Sequence, residues 1–436
     1  MLRRVRITGY KTLRDVNVTL SPLTVIFGPN AAGKSNFLDA LQLLSKLASS
    51  RTLQEAFEPP YRGKPLESFS LDQDGLRGLV KRDSVEFLME IDFDLSKTTI
   101  DSVNRQLRDL DEGSGDTESD RPAKNRLTER MLRYRIRVEM LPRSGLLRVA
   151  DEFLAALNHR GEVTGKRKPF IERVRNKIHL RLEGQAHPKY YERYLNHTVL
   201  SMPHYPAHYP HLVAARQEIS RWAFFYFEPR ERMRASNPVK EVHHIGLMGE
   251  ELPAYLNTLK ALQPKQFSAV EKALRMLLPQ VDRIDLEVND IGEVELRLVE
   301  RGIPMPARIL SEGTLRILGM LALTGAANPP PLLGLEEPEN GIHPKRIAMI
   351  AELLRARGRE NVTQYIVTTH SPLIADAMDD KSLFAVRRLA DGTSITPLNA
   401  WGPLGRRNAV SNALEHDDDE IFEPVSKRIM RGDFDG

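Results

Sequence analysis

With 436 residues, 41% of them apolar and 28% charged, the chain has material for one large core or two to three ordinary ones. Cysteine is absent, which excludes disulfides, cysteine-ligated zinc and thiol catalysis and fits a reducing compartment. A net charge of +4 gives only weak support to a nucleic-acid partner. The start, MLRRVRITGY, lacks a signal-peptide core and no run of about 18 apolar residues occurs, so a soluble, cytoplasmic protein without a membrane partner is expected.

The opening VRITGYKTLRDVNVTLSPLTVIFGPN alternates as paired strands do and closes on the apolar run LTVIF before a Gly-rich turn. From Ala32 to Leu47 the spacing of Phe37, Leu38, Leu41, Leu44 and Leu47 predicts a helix. Strands are predicted at Val85 to Phe93 and Leu132 to Met140. Between them, residues 111–125 (DEGSGDTESDRPAKN) read as a polar surface loop. Residues 146–230 are mixed, basic and aromatic-containing. Helical spacing returns from about 250 to 280, and RIDLEVNDIGEVELRLVE predicts a hairpin around NDIGE. The last third alternates helix and strand, which predicts a parallel sheet covered by helices.

Residues 28–35, GPNAAGKS, satisfy G-x-x-x-x-G-K-[ST] at every fixed position, with a strand predicted before and a helix after. The turn Gly28, Pro29, Asn30, Ala31, Ala32, Gly33 lets consecutive backbone N–H groups face a phosphate at the start of the helix that carries Asn36. Lys34 can reach the β- and γ-phosphates, and the Ser35 hydroxyl can ligate Mg²⁺. Nucleotide binding follows from these residues.

Three later stretches separate the classes of P-loop protein. LSEGT (310–314) opens a predicted helix. LLGLEEPENGIHP (332–344) ends an apolar run in adjacent carboxylates. In IVTTHSP (366–372) a strand delivers His370 to the sheet's carboxyl edge. In order and spacing they resemble the ATP-binding-cassette (ABC) ATPase head, with LSEGT as signature, LLGLEE as Walker B, NGIHP as the D-loop region and His370 as switch histidine. RITGYKTLRDVNVTLSPLTVIFGPNAAGKSNFLDAL and EEPENGIHP resemble the RecF/SMC/OLD branch. Nearly the whole chain resembles the stand-alone prokaryotic AAA family (AAA_21-like) ATPases of anti-phage systems, several of which act beside a Toprim-like nuclease.

The resemblance implies an α/β fold: a P-loop NTPase head of the ABC type, with a mixed sheet, flanking helices and an antiparallel β subdomain. A mixed α/β insertion replaces the coiled coil of SMC relatives. It divides the chain into a first part of the head at 1–95, the insertion at 96–220, the rest of the head at 221–400 and an acidic tail at 401–436. ATP and Mg²⁺ are the implied cofactors. Two heads would meet head to tail as a homodimer, or in a higher homo-oligomer, Ser311 and Gly313 of one capping the γ-phosphate held by the other. Glu336 would stand at the Mg²⁺ position, Glu337 would orient or deprotonate the attacking water, and His370 would sense the γ-phosphate. Glu336 stands where Walker B usually has aspartate, and Thr314 where transporters carry glutamine. The extra methylene can be accommodated through a metal-bound water, and slow ATP hydrolysis is the expectation.

Within the insertion, residues 165–194 interleave Lys and Arg with Tyr and Phe, a composition suited to phosphate tracking and base stacking. PHYPAHYPH places His204, His208 and His211 near one another, more plausibly a structural or partner-binding loop than a metal site. Gln73 is a candidate for the Q-loop glutamine. About 65 residues follow His370, fewer than the roughly 100 of a Toprim domain. EHDDDE (415–420) and DFDG (433–436) therefore read as an acidic tail, and no nuclease activity is expected in this chain. The resulting expectation is an ATP-driven dimerisation switch in anti-phage defence or DNA metabolism. It would respond to double-stranded DNA or a phage protein and control an effector such as a nuclease. The alternatives are RecF-like repair with direct DNA binding, and a nucleotide-dependent scaffold with negligible hydrolysis.

Overall fold

In the computed structural model, which describes residues 1–113, 127–165, 167–183, 189–192, 194–324, 329–398 and 424–431, the opening alternation forms a hairpin. β1 (Leu2–Tyr10) and β2 (Leu13–Thr19) pair antiparallel across a turn in which Lys11 has φ 44°. β3 (Leu23–Phe27) is buried along its whole length, and α1 (Lys34–Leu47) buries Phe37, Leu38, Leu41, Leu44 and Leu47 at the expected spacing. Short helices α2 (Leu53–Ala56) and α3 (Gly75–Lys81) lead to β4 (Val85–Asp94). α4 (Lys97–Gly113) takes in the first three residues of the segment expected as a loop at 111–125, and the rest of that segment lies outside the described residues.

β5 (Met131–Leu141) and β6 (Leu146–Ala156) are followed by the short strands β7 (Ile171–Val174), β8 (Lys177–Leu180) and β9 (Lys189–Glu192). All join β1, β2 and β4 in one antiparallel sheet of order β2-β1-β4-β5-β6-β7-β8-β9. Residues 96–220 thus extend the sheet that the first 95 begin. On β5, Leu132, Tyr134, Ile136 and Val138 face the core. The alternate arginines meet carboxylates of neighbouring strands: Arg133 with Asp92 at 2.6 Å, Arg135 with Asp151 at 3.1 Å, Arg137 with Glu86 at 2.6 Å. Cross-strand pairing offsets charge here. In the segment 165–194, Arg167 and Arg181 likewise pair with Glu183 and Glu172, Phe170 is buried, and Tyr190 is exposed.

α5 (Pro210–Ser220) and β10 (Ala223–Phe225) return the chain to a second sheet. β11 (Asn237–Pro238), α6 (Leu252–Leu262) and α7 (Pro264–Leu277) precede the expected hairpin, β12 (Val281–Val288) with β13 (Glu293–Glu300), which turns at Asn289–Gly292. β14 (Ile303–Pro306) pairs with β13 and completes a small third sheet. Then come α8 (Glu312–Thr324), β15 (Leu332–Glu336), α9 (Pro344–Arg359), β16 (Gln364–Thr369), α10 (Pro372–Asp376), β17 (Leu383–Leu389) and β18 (Gly392–Pro397). In the stretch expected as an acidic tail, α11 (Val425–Arg431) docks on α10, Ser426 N donating to Asp376 at 2.9 Å. EHDDDE and DFDG lie outside the described residues.

The second sheet runs β10-β15-β16-β3-β17-β18, parallel except for β18. Both its faces are covered, which is why its strands read as unbroken apolar runs. Ile26 and Ile366 point into the core shared with the antiparallel sheet, whereas Val25, Phe27, Leu333, Leu335 and Val367 point into a second core with α6 to α9. Gln364 links the two sheets. Its carbonyl accepts from Leu2 N at 2.6 Å, and its amide donates to Leu2 O at 2.8 Å and Ser21 O at 3.0 Å.

Candidate active site

The 28–33 turn leaves β3 at the carboxyl edge of the parallel sheet, the edge at which open α/β sheets receive ligands. Gly33 has φ 109°, and a Cβ there would stand 2.3 Å from Thr393 Oγ1, so the position admits glycine alone. Thr393, on β18, donates to Ala32 O at 2.9 Å and shares a 2.7 Å hydrogen bond with Thr12 Oγ1. Asn36 Nδ2 donates to the same Thr12 oxygen at 2.8 Å, so its side chain braces the turn. Pro29, Asn30 and Ala31 form the exposed rim, and Ser35 is half-buried on the first turn of α1. The buried Lys34 ammonium donates to the carbonyls of Gly28 at 2.8 Å and Pro29 at 2.9 Å, which leaves one of its three N–H bonds for a ligand. Burial lowers its pKa, and Glu337, Glu339 and Glu336 oppose that shift.

Those three carboxylates are the ones that end the apolar run in the sequence. Glu336 closes β15 level with Thr368 of β16, which is level with Ile26 of β3, so register places it two strands from the strand feeding the turn. Both its oxygens are taken by the guanidinium of Arg62 in a fork. Arg62 also lies 3.2 Å from Asp39 and stacks 4.6 Å above the Tyr226 ring, and Lys11 reaches Asp39 at 2.8 Å. Glu337 adopts φ 45°, a left-handed conformation that costs a non-glycine residue about 1 kcal/mol or more. Its N–H donates to Thr368 O at 2.9 Å. One carboxylate oxygen lies 3.3 Å from His370 Nδ1, and the other accepts from Asn340 Nδ2 at 2.8 Å. Glu339 is buried behind them. Thr369 Oγ1 donates to its Oε1, its Oε2 has no hydrogen-bond partner, and burial raises its pKa.

Ser311 is exposed, and its Oγ accepts from Thr314 N at 3.2 Å and bonds Thr314 Oγ1 at 2.8 Å, the geometry of a helix N-cap for α8. A Cβ on Gly313 would meet Gly341 O at 2.5 Å, so LSEGT is pressed against the ENGIHP turn of its own chain. Ser35, Glu336 and Glu337 supply hard oxygen donors of the kind Mg²⁺ takes. The Arg62 fork uses one lone pair on each Glu336 oxygen, so a metal or metal-bound water at Glu336 would share this carboxylate with the guanidinium. The PHYPAHYPH histidines are committed elsewhere: His204 to Val199 O at 2.7 Å, His211 to Glu183 at 2.6 Å, and His208 edge-on to Tyr205. Among the described residues no group of three His, Asp or Glu side chains could hold a metal.

Two family models match the chain. "AAA ATPase domain" (AAA_15) covers residues 1–189, and "AAA domain, putative AbiEii toxin, Type IV TA system" (AAA_21) covers 170–376. An OLD nuclease of Thermus scotoductus is 43% identical over 44 residues, which is 10% of this chain and 8% of that protein. The DNA replication and repair protein RecF of an Arthrobacter species is 27% identical over 105 residues, 24% of each. The matched stretches thus span a quarter or less of these relatives. Among solved structures, an SMC head bound to the C-winged helix domain of ScpA superposes with a TM-score of 0.51 at 12% identity, covering 91% of this chain and 96% of that one. That likeness is one of fold. By these matches the chain is similar to ABC-type ATPases of the RecF/SMC/OLD branch.

The structure brings together the turn 28–35, Glu336, Glu337 and His370. Gly313 packs against the ENGIHP turn, and Ser311 is exposed beside it. Arg62, Asp39, Glu339 and Thr393 went unmarked in the sequence. Glu339 could have been found from EEPEN, which holds a third carboxylate. Arg62 belongs to no motif and meets Glu336 across 274 residues of chain. Gln73 is exposed just before α3, so it is Arg62 that reaches the site from this part of the chain. No described helix is long and apolar enough to cross a membrane.

Proposed function

We propose that this chain binds Mg²⁺–ATP at residues 28–36, hydrolyses it slowly, and uses nucleotide-dependent pairing of two heads as a switch over a partner effector in anti-phage defence or DNA metabolism. The observation that carries the reading is the convergence of Lys34, Glu337 and His370 at one sheet edge, with Ser311 exposed at the start of α8. An exposed LSEGT serine whose side chain bonds Thr314 rather than the phosphate turn of its own chain is free to meet the nucleotide of a second copy. Lys34 would hold the β- and γ-phosphates, Glu337 would take or orient the proton of the attacking water, and His370 would hold Glu337 and read the γ-phosphate. When bound, Mg²⁺ would neutralise phosphate charge, with Ser35 and Glu336 as its protein ligands. The OLD and RecF relatives support a role beside nucleic acid, and the SMC head solved with ScpA supports a protein partner. An effector such as a Toprim-like nuclease encoded nearby fits, with double-stranded DNA or a phage protein as trigger.

The test is turnover together with association state. Wild-type protein is expected to show Mg²⁺-dependent ATPase activity, and Glu337→Gln to bind ATP, lose turnover by about 10²-fold or more and accumulate as an ATP-bound dimer. Absence of Mg²⁺-dependent hydrolysis, with and without DNA, would sink the enzyme reading. A nucleotide-dependent scaffold is the second reading, favoured by the Arg62 fork on Glu336. It predicts ATP-dependent pairing in wild type without turnover.

A further inference from the structure

LSEGT carries an acidic residue, Glu312, between its serine and its glycine. Its carboxylate is about a third exposed beside the exposed Ser311, on the face to which the proposed pairing would bring a triphosphate. A carboxylate there repels phosphate unless its charge is met. It is met from outside the helix: Arg230 Nε donates to Glu312 Oε1 at 2.7 Å while three quarters of the arginine side chain stays exposed.

Arg230 is held in a built loop. After β10, the Glu228 carboxylate accepts from three successive backbone N–H groups, Arg230 at 3.1 Å, Glu231 at 2.9 Å and Arg232 at 3.1 Å. Arg234 then donates to the carbonyls of Arg308, just before LSEGT, at 3.1 Å and of Leu310, its first residue, at 2.8 Å. Between these polar anchors Met233 is fully buried, and both Met233 and Phe227 pack on Gly319 of α8, where a Cβ would stand 2.7 Å and 3.1 Å from them. The loop therefore travels with α8 as one body. One turn along that helix, Arg316 is half-buried with an unpaired Nε in the field of Glu312, Glu228, Glu339 and Glu337, so the cations gather on the side of α8 that carries Glu312.

We propose that the loop Glu228–Arg234 positions the LSEGT turn and that Arg230, by neutralising Glu312, sets the charge this turn presents to a nucleotide triphosphate held by a second copy of the chain. The inference rests on the paired-head reading above. Arg230 is a positioning residue. Because a two-fold dimer contains the contact twice, a threefold loss at each becomes about a tenfold loss in association.

The experiment measures self-association of full-length protein by analytical ultracentrifugation with Mg²⁺ and a non-hydrolysable ATP analogue. Affinity of the P-loop for a fluorescent ATP analogue is measured on dilute protein. Arg230→Ala is expected to leave nucleotide affinity within about twofold and to weaken association about tenfold. Arg230→Lys, which keeps the charge but not the guanidinium Nε–H donor, should fall between. The deciding variant is Arg230→Ala with Glu312→Gln, which removes the unmet charge and should restore most of the association. Arg230→Ala pairing like wild type, or failure of Glu312→Gln to restore pairing, overturns the proposal. If wild type itself does not associate with the analogue, the paired-head reading fails and takes this inference with it.

Discussion

Lys34 and Glu337 bring opposite charges to one edge of a sheet, and each is restrained by the backbone. The Lys34 ammonium spends two of its N–H bonds on its own turn, so phosphate competes with two carbonyls for a desolvated cation. Such a charge-assisted contact in a buried setting is strong. Lys34→Ala is expected to weaken ATP binding at least about 100-fold with little change in melting temperature, measured by calorimetric titration of nucleotide. Glu337→Gln separates the two functions: its amide oxygen still accepts from Asn340, but it cannot take a proton from water. Binding should persist while turnover collapses, and a variant that still hydrolyses ATP would move the catalytic role elsewhere, with the buried Glu339 the nearest carboxylate to consider. The left-handed backbone at Glu337 is consistent with a residue whose placement outweighs its local comfort.

At the scale of elements, β6 shows how the inserted strands are tied down. Glu152 is fully buried on it and accepts from Val199 N at 2.6 Å, Leu200 N at 2.9 Å and Tyr134 Oη at 3.0 Å, pinning the segment before α5 against the sheet. Burial pushes this carboxyl up to about 7, against the downward pull of its three donors. The native protein therefore holds a proton between about 4.5 and about 7 that the unfolded chain has released. The stabilisation from this group is complete below that window and is lost as pH rises through it. Wild-type stability should fall from pH 5 to pH 8 by on the order of 3 kcal/mol more than that of Glu152→Gln, read from urea midpoints across the range. Parallel pH profiles for the two proteins would remove Glu152 as the source. The strand itself was written as a mixed region in the sequence, because β6 breaks strict alternation where the register with β5 shifts between Arg137 and Val138. By contrast β3, β5 and α1 carry unbroken periodicity, and each formed within a residue or two of its expected bounds.

Across the whole molecule, the antiparallel and parallel sheets act together because Gln364, on the strand that ends at Thr369 just before His370, bonds the first strand and the lead-in to β3. Gln364→Leu keeps the volume but strands Leu2 N, Leu2 O and Ser21 O, and should cost about 2–4 kcal/mol, measured as a lower urea midpoint with an unchanged slope. If nucleotide affinity falls in parallel, the joint between sheets also sets the spacing of the P-loop and His370. The phosphate turn, the pair Glu336–Glu337, His370 and the alternation of the last third are legible in the amino-acid order alone. Each is written within a handful of consecutive residues, where turn chemistry and strand or helix period act. Tertiary structure decided that Arg62 faces Glu336, that Thr393 closes the P-loop turn from β18, that residues 96–220 lengthen an existing sheet, and that Arg230 meets Glu312. Those contacts join residues far apart in the chain, and no local periodicity encodes them, because a charge acquires its partner only when the sheets have stacked and brought it within a few ångströms.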